Sequence, residues 1–341
     1  MKSSVEPFRG TARDWDSFVE SQPLATSSHL YGWKQVIERV YGHDCPYLAA
    51  GGPGGITGVL PLVDVRSLAF GRYLVSMPFL NGGGPIGSPA AIGELTRTAL
   101  ELAAARRARL LEFRAQQPLA LDLPHSADKV GCVLGLTGEP GALWKAIGSK
   151  VRSQVRRPQK EGIEVRFGPD QLEPFFGVFA RNMRDLGSPT HPQAFFEAVR
   201  DHLGEAVWFG CAYHGDIAVA AGCALAWRGE VEMTWASSLR EYNALSPNML
   251  LYWAFMERAA EQGHSRFNFG RSTPGSGSHR FKRQWGAVDV PLYWYQSLRR
   301  AGAATPRQDR GSLSLASRLW QRMPVPMATA IGARLRGGIP A

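Results

Sequence analysis

Phe267-Asn-Phe-Gly-Arg-Ser-Thr-Pro-Gly-Ser-Gly-Ser-His-Arg-Phe-Lys-Arg-Gln-Trp-Gly-Ala287 decides how this chain is read. Phe267 and Phe269 alternate as in a short half-buried strand, which runs into a segment too rich in Gly, Ser and Thr to carry its own core. Glycines let backbone N–H groups approach an anion closely, and hydroxyls such as that of Ser272 add donors. Lys282, at the end of that loop, can set one positive charge beside a phosphate or a developing oxyanion. A Gly-Ser tract alone reads as a flexible surface loop. With Arg271, Lys282 and Trp285 gathered around it, the stretch reads as a site.

The remainder of the chain sets bounds on that site. Its 341 residues suffice for two domains, and 44% hydrophobic with 20% charged residues is a globular balance. Residues 1–10 lack the apolar core of a signal peptide, and no apolar run reaches the roughly 18–20 residues that span a bilayer. A cytoplasmic protein is expected, peripheral at most to the inner face of the membrane. Cys45, Cys132, Cys211 and Cys223 are scattered without CxxC or histidines at ligand spacing, so neither a metal nor a disulfide framework is expected. The net charge of +10 points to an anionic partner, and the excess clusters at 145–160 and after 270.

One order of elements occurs twice. Strands at Tyr47, Ile56–Val65 and Tyr73–Met77, a helix Ile92–Arg107 and a strand Arg109–Arg114 form the first series. Strands Val207–Tyr213, Ile217–Trp227 and Val231–Ser237, a helix Pro247–Gln262 and a strand Arg266–Phe269 form the second, about 160 residues on, as tandem duplication would give. The fold class expected is α/β (α+β), two domains each built of a mixed sheet flanked by helices. The boundaries expected are 1–142, 143–300, and a linker and amphipathic tail over 301–341. Between the halves, Ile147, Val151 and Val155 form an apolar stripe, with Arg152, Arg156 and Lys160 as a basic edge one position on. No acidic residue stands between Lys145 and Lys160 to pair with that edge, so it is expected to contact an anion; Pro158 is expected to kink or shorten the helix. Helix Leu172–Met183 ends in a Gly/Pro turn flanked by Asn182, Arg184 and His191, where a binding loop can sit.

Several motifs in order resemble the FemABX-related branch of the GNAT acetyltransferase superfamily, and in particular FemAB-like proteins of PEP-CTERM/exosortase and exopolysaccharide systems. They are Lys150-Val-Arg-Ser-Gln-Val-Arg-Arg-Pro-Gln-Lys-Glu-Gly162, Asn182-Met-Arg-Asp-Leu-Gly187, Trp235-Ala-Ser-Ser-Leu-Arg240 with Pro247-Asn248, and Phe267–Ala287. Together with Pro61-Leu62 and Gly71–Pro78 they span most of residues 15–298. The resemblance implies two tandem GNAT-like domains, with acceptor and donor along the second domain and between the two. It implies that Phe281-Lys282 with Gly286 lies near a phosphate-bearing acceptor, and that the basic helix matches one preceding the second Fem domain. Asn268 stands where relatives often carry Asp, and the pyrophosphate loop of acetyl-CoA-binding relatives has no counterpart here.

The reaction implied is transfer of an acyl or aminoacyl group to a primary amine, which needs a deprotonated amine, an aligned carbonyl and a stabilised oxyanion. Lys282 supplies that charge or holds the acceptor's phosphate. Arg271 offers a bidentate contact, and His279 a base near neutral pH. Trp235, Tyr252 and Trp285 are candidates for a sugar-stacking wall, and Asn268 for a polar contact, although aromatics at such positions are commonly core. No tightly bound cofactor is expected; acyl-CoA or aminoacyl-tRNA serves as co-substrate. The acceptor expected is a phosphorylated or amino-sugar precursor, small or lipid-linked, of the cell envelope or an exopolysaccharide. A peptidoglycan-type aminoacyltransferase that uses tRNA is the alternative, and a non-catalytic precursor-binding protein is the reading of another class. In the tail, Leu313, Leu315, Leu319, Trp320 and Met323 alternate with Arg318 and Arg322. That pattern suits a membrane headgroup region, or equally a latch on the protein's own surface.

Overall fold

The computed structural model describes residues 4–52, 55–67, 71–299 and 310–339, with side chains in the last segment from 316 onward. The expected polar linker at 301–309 and the side chains of Leu313 and Leu315 lie outside the described residues.

In chain order the elements are β1 (Ser4–Pro7), α1 (Ala12–Ser21), α2 (Gly32–Tyr41), β2 (Leu48–Gly52), β3 (Gly55–Leu60), β4 (Leu62–Ser67), β5 (Gly71–Ser76), β6 (Ile86–Gly87), α3 (Pro89–Ala105), β7 (Leu110–Ala115) and β8 (His125–Ser126). There follow β9 (Val130–Gly135), α4 (Pro140–Ala146), α5 (Ser149–Lys160), β10 (Ile163–Phe167), α6 (Leu172–Asp185), α7 (Gln193–Leu203), β11 (Val207–His214), β12 (Ile217–Trp227) and β13 (Glu230–Ser238). The chain continues with α8 (Pro247–Glu261), β14 (Arg266–Ser272), α9 (Gly277–Arg283), β15 (Val288–Pro291), β16 (Tyr293–Leu298), α10 (Arg310–Gln321) and α11 (Val325–Arg336).

Two compact units result. One comprises Met1–Lys129, Pro291–Asp309 and Arg334–Ala341, the other Val130–Val290 and Arg310–Ala333. This division departs from the expected boundary at 142/143. The reason is pairing: β9 joins β14 in the sheet of the second unit, and β16 joins β7 in the first.

The first unit holds a four-stranded sheet, β1-β2-β3-β6, and a five-stranded one, β4-β5-β7-β16-β8. The sequence pattern predicts a single strand over Ile56–Val65. Pro61 has no N–H for a ladder, so the strand breaks there and its two pieces enter different sheets. Helix α3 starts cleanly, with Pro89 at its first turn and the Ser88 hydroxyl accepting from Ala91 N. Leu95 and Ala99 on its inner face join Leu48, Leu60, Leu74 and Phe113 in one core.

The second unit is a seven-stranded sheet, β10-β11-β12-β13-β14-β9-β15. Helix α8 and α5 pack together on it, and α6 lies against β11, β12 and β13. The expected single basic helix is two, α4 and α5, parted at Ile147-Gly148 where the backbone turns extended. Pro158 sits only two residues from the end of α5 and leaves it intact.

The repeat is visible in the pairing. In the first unit β5 and β7 run parallel on either side of α3; in the second, β13 and β14 run parallel on either side of α8. Each of these later strands, β7 and β14, then takes an antiparallel partner from outside its own half of the sequence.

Candidate functional site

The site starts where two strands part. β13 and β14 pair only over Glu230–Glu232 and Arg266–Asn268, although β13 continues to Ser238 and β14 to Ser272. On the other side of β14 the register with β9 is interrupted between Asn268 and Arg271. Gly270, at φ +72°, makes the bulge possible because the left-handed region suits a residue without Cβ.

A stretch of backbone thus freed on two sides has to find partners inside the protein. Asn268 Oδ1 accepts from Gly270 N at 2.9 Å, while Asn268 Nδ2 donates to Glu230 Oε1 at 3.0 Å. Lys282 Nζ donates to Gly270 O at 3.1 Å and to Arg271 O at 2.8 Å. Lys282 is not the end of an open loop, as the sequence suggests. Ser276 caps a short helix by accepting from His279 N, and α9 carries Lys282 inward to 8% exposure. Burial is the main reason that its amine is pulled down to about 8, with Arg271 pushing the same way against Cys132 and Glu232. Glu232, buried at the point where the strands part, is the carboxylate missed by sequence reasoning. Its signal is there in retrospect: a glutamate between the apolar Val231 and Met233 of a core strand.

Next to Lys282, Cys132 on β9 is buried, and burial pushes its thiol up. Its sulfur lies within 4.8 Å of ligand atoms of His279 and Asp289, a trio that can be asked to hold a metal. The hydrogen bonds argue against it. Gly275 N donates to His279 Nδ1 at 3.2 Å, so the ring proton sits on Nε2, which meets Asp289 at 3.0 Å. A metal on Nε2 would require the proton on Nδ1, facing the Gly275 N–H. With Nδ1 accepting from Gly275 N and Nε2 facing Asp289, His279 has no free lone pair to serve as the expected base.

The other predicted residues are placed elsewhere. Arg152 Nη1 donates to the carbonyls of Ile147, Lys145 (3.3 Å) and Trp144 (3.4 Å), finishing α4. Arg156 lies over the Trp144 ring at 5.3 Å, and Lys160 is exposed at the last residue of α5. Helix α5 packs on β10 at one edge of the sheet, whereas α9 packs on β14 and β9 toward the other, so this basic edge does not converge with Lys282. Asn182 Nδ2 donates to Ser237 Oγ at 3.0 Å. Arg184 pairs with Asp185 and donates to Met323 O at 2.8 Å, which ties the expected binding turn to the tail instead.

The aromatic wall does not form. Tyr252 stacks on Phe269 (centroids 5.5 Å apart, 17°) and shares a core with Trp285, which is 2% exposed. Trp235 belongs to a different ring cluster, with His191, Phe195 and Phe196. Arg271 and Ser272 stay with Lys282, the first through its carbonyl and the second beside Ser278 (3.4 Å).

The equivalent parting in the first unit is filled from within. β5 and β7 pair over Tyr73–Val75 and Leu110–Glu112; beyond, Arg114 N donates to Ser76 Oγ, Arg114 Nη1 to Leu80 O, and Gly84 N to Arg114 O. A shallow surface hollow nearby is lined by Thr26, His29, Gly84, Arg114 and Gln116. Its polar groups face inward: His29 Nε2 meets Gly84 O, burial holds His29 neutral at about 4, and Arg114 binds Glu112.

Residues 149–283 match the family described as Acetyltransferase (GNAT) domain. This stretch is similar to a GNAT domain. No curated protein matches the chain in sequence. In fold the chain is similar to the crystal structure of FemX, with a TM-score of 0.67 at 16% identity over 86% of this chain and 97% of that one. It is similar to L-PGS from Bacillus licheniformis (0.55, 15%, 93% and 98%). It is also similar to a tandem GNAT protein from the clavulanic acid biosynthesis pathway (0.53, 12%, 89% and 100%). In fold the whole chain is similar to a tandem GNAT protein, with Lys282 meeting the parted strands of the second unit where Arg114 meets those of the first.

Proposed function

We propose that the chain is an N-acyltransferase, which joins an acyl or aminoacyl group to an amino group of a cell-envelope or exopolysaccharide precursor. The observation that carries the reading is the buried Lys282, aimed at the bulge of β14 where β13 and β14 part, with Glu232 at the vertex. In the reaction the acceptor amine forms a C–N bond to the donor carbonyl, and the C–O or C–S bond of the donor breaks. Negative charge collects on the carbonyl oxygen in between, where a fixed cation in a water-poor setting is worth most. Lys282 is that cation. Glu232 takes the proton that the amine gives up.

The donor is an activated ester or thioester. Acyl-CoA suits the GNAT domain; aminoacyl-tRNA is the alternative, supported by the charge of +10. The test incubates purified protein with radiolabelled acetyl-CoA or aminoacyl-tRNA, each with amino-sugar acceptors. Label should reach the acceptor with the wild type and not with Lys282→Met. Binding of acceptor without transfer from either donor would leave a non-catalytic binding protein.

A further inference from the structure

The C-terminal helices present an apolar face outward. Ala328 and Gly332 are the inner positions of α11, with Gly332 close against Thr190 and the Trp320 ring. Toward solvent, Met327, Ile331 and Leu335 follow one another at i, i+4 and i+8, with 52%, 39% and 49% of their surface exposed. Ala330 and Arg334 stand on the same exposed face. Leu319, exposed near the end of α10, adds a further large apolar side chain. A helix usually buries such a stripe, and among the described residues nothing occupies this one.

Charge says what the occupant is. From 310 to 341 the sequence has five arginines and no aspartate or glutamate. Arg318, Arg322 and Arg334 are exposed beside the apolar face. A second copy docking by a two-fold axis would bring this arginine-bearing face against itself. Nucleic acid would use the arginines and leave Met327, Ile331 and Leu335 in water. Apolar side chains rimmed by arginine suit the boundary between acyl chains and anionic headgroups. Among the described residues no helix is long and apolar enough to cross a membrane, so the contact is one of lying on the surface.

We propose that the exposed face of α11, with the end of α10, docks on an anionic lipid bilayer. The helices are held ready for it: Arg184 fixes Met323 O, and Gly187, at φ +73°, packs where a Cβ would meet the Ser317 Cβ at 2.8 Å. Such a contact needs no acyl transfer.

The test is co-sedimentation of the full chain with vesicles of phosphatidylcholine alone, or with about a third of phosphatidylglycerol. Two triple variants accompany it, Met327→Ser/Ile331→Ser/Leu335→Ser and Arg318→Gln/Arg322→Gln/Arg334→Gln. All six positions are exposed, and unchanged thermal unfolding checks that both variants fold. The wild type should bind the anionic vesicles at least ~10-fold more tightly than the neutral ones, and each variant should lose a similar factor. Wild type that stays in the supernatant, variants that bind as well as wild type, or a concentration-dependent dimer abolished by the serine variant would each overturn the proposal. The last outcome would give the face to a second copy.

Discussion

Replacing Lys282 by Met should change the way stability depends on pH, by an amount the structure sets. The amine of Lys282 falls from 10.5 to about 8 chiefly because it is buried. One pKa unit is ~1.4 kcal/mol, so the charged amine costs the folded state about 3 kcal/mol at pH 7. Below 8, folded and unfolded chains both carry the proton and the cost stands in full. Between 8 and 10.5 the folded chain has lost a proton that the unfolded chain keeps, so stability rises with pH. Integrated over that window, the wild type should gain about 1.4 kcal/mol by pH 9 and about 2.5 kcal/mol by pH 10 from this one group. Methionine has similar length and no charge, so Lys282→Met should lack that gain. Urea unfolding of both proteins at pH 7, 8, 9 and 10 measures the difference. Two stability curves that stay parallel across the range would refute a desolvated amine. In the transfer assay, kcat/KM should fall as pH passes about 8, because the free enzyme then loses the cation; a rate that rises there would make Lys282 a base.

Two further outcomes follow from contacts in the second unit. Arg152→Gln removes a guanidinium that satisfies the last carbonyls of α4, and should cost ~1–2 kcal/mol in urea unfolding, while Lys160→Gln, fully at the surface, should cost less than ~0.5. Equal small effects would return Arg152 to solvent and to anion binding. Asn268→Asp sets a second carboxylate 3.0 Å from Glu230 Oε1, where the amide now donates. The like charge raises a carboxyl pKa, so the variant should lose ~1–3 kcal/mol at pH 7.5 and recover much of it near pH 5, where a protonated carboxyl can donate again. A loss independent of pH would mean that the charge is not what matters.

Much of the second unit could be read from its residues, and the reasons are local. Ile217–Trp227 keeps the bounds expected of it, and Pro247 with its apolar run marks α8 within a residue at its far end. Pattern failed where partners are distant. Val130–Gly135 and Tyr293–Leu298 are short strands whose place is decided by β14 and β7, and nothing within either segment names its partner. Polar side chains were misread for a related reason. Arg152, Arg184 and His279 each look available in sequence, yet their donors and acceptors are taken by backbone or by Asp289, which only the fold brings near. Lys282 stands out in sequence because it follows a Gly- and Ser-rich run; its burial does not, although Ser276 caps the helix that carries it inward.

The exchange of strands has a consequence for how the protein is made. Ala115 at the end of β7 pairs with Tyr293 of β16, a residue that the ribosome adds roughly 180 positions later, a delay on the order of ten to forty seconds at ~5–20 residues per second. Throughout that interval β7 has β5 on one side and, on the other, an open edge of unpaired backbone N–H and C=O groups. In the second unit β14 has no such wait, because β9 precedes it and is already out when β14 arrives. The domain whose sequence comes first is therefore the one whose sheet is finished last, and its nascent edge is where a chaperone, or a neighbouring nascent chain, would find a place to bind.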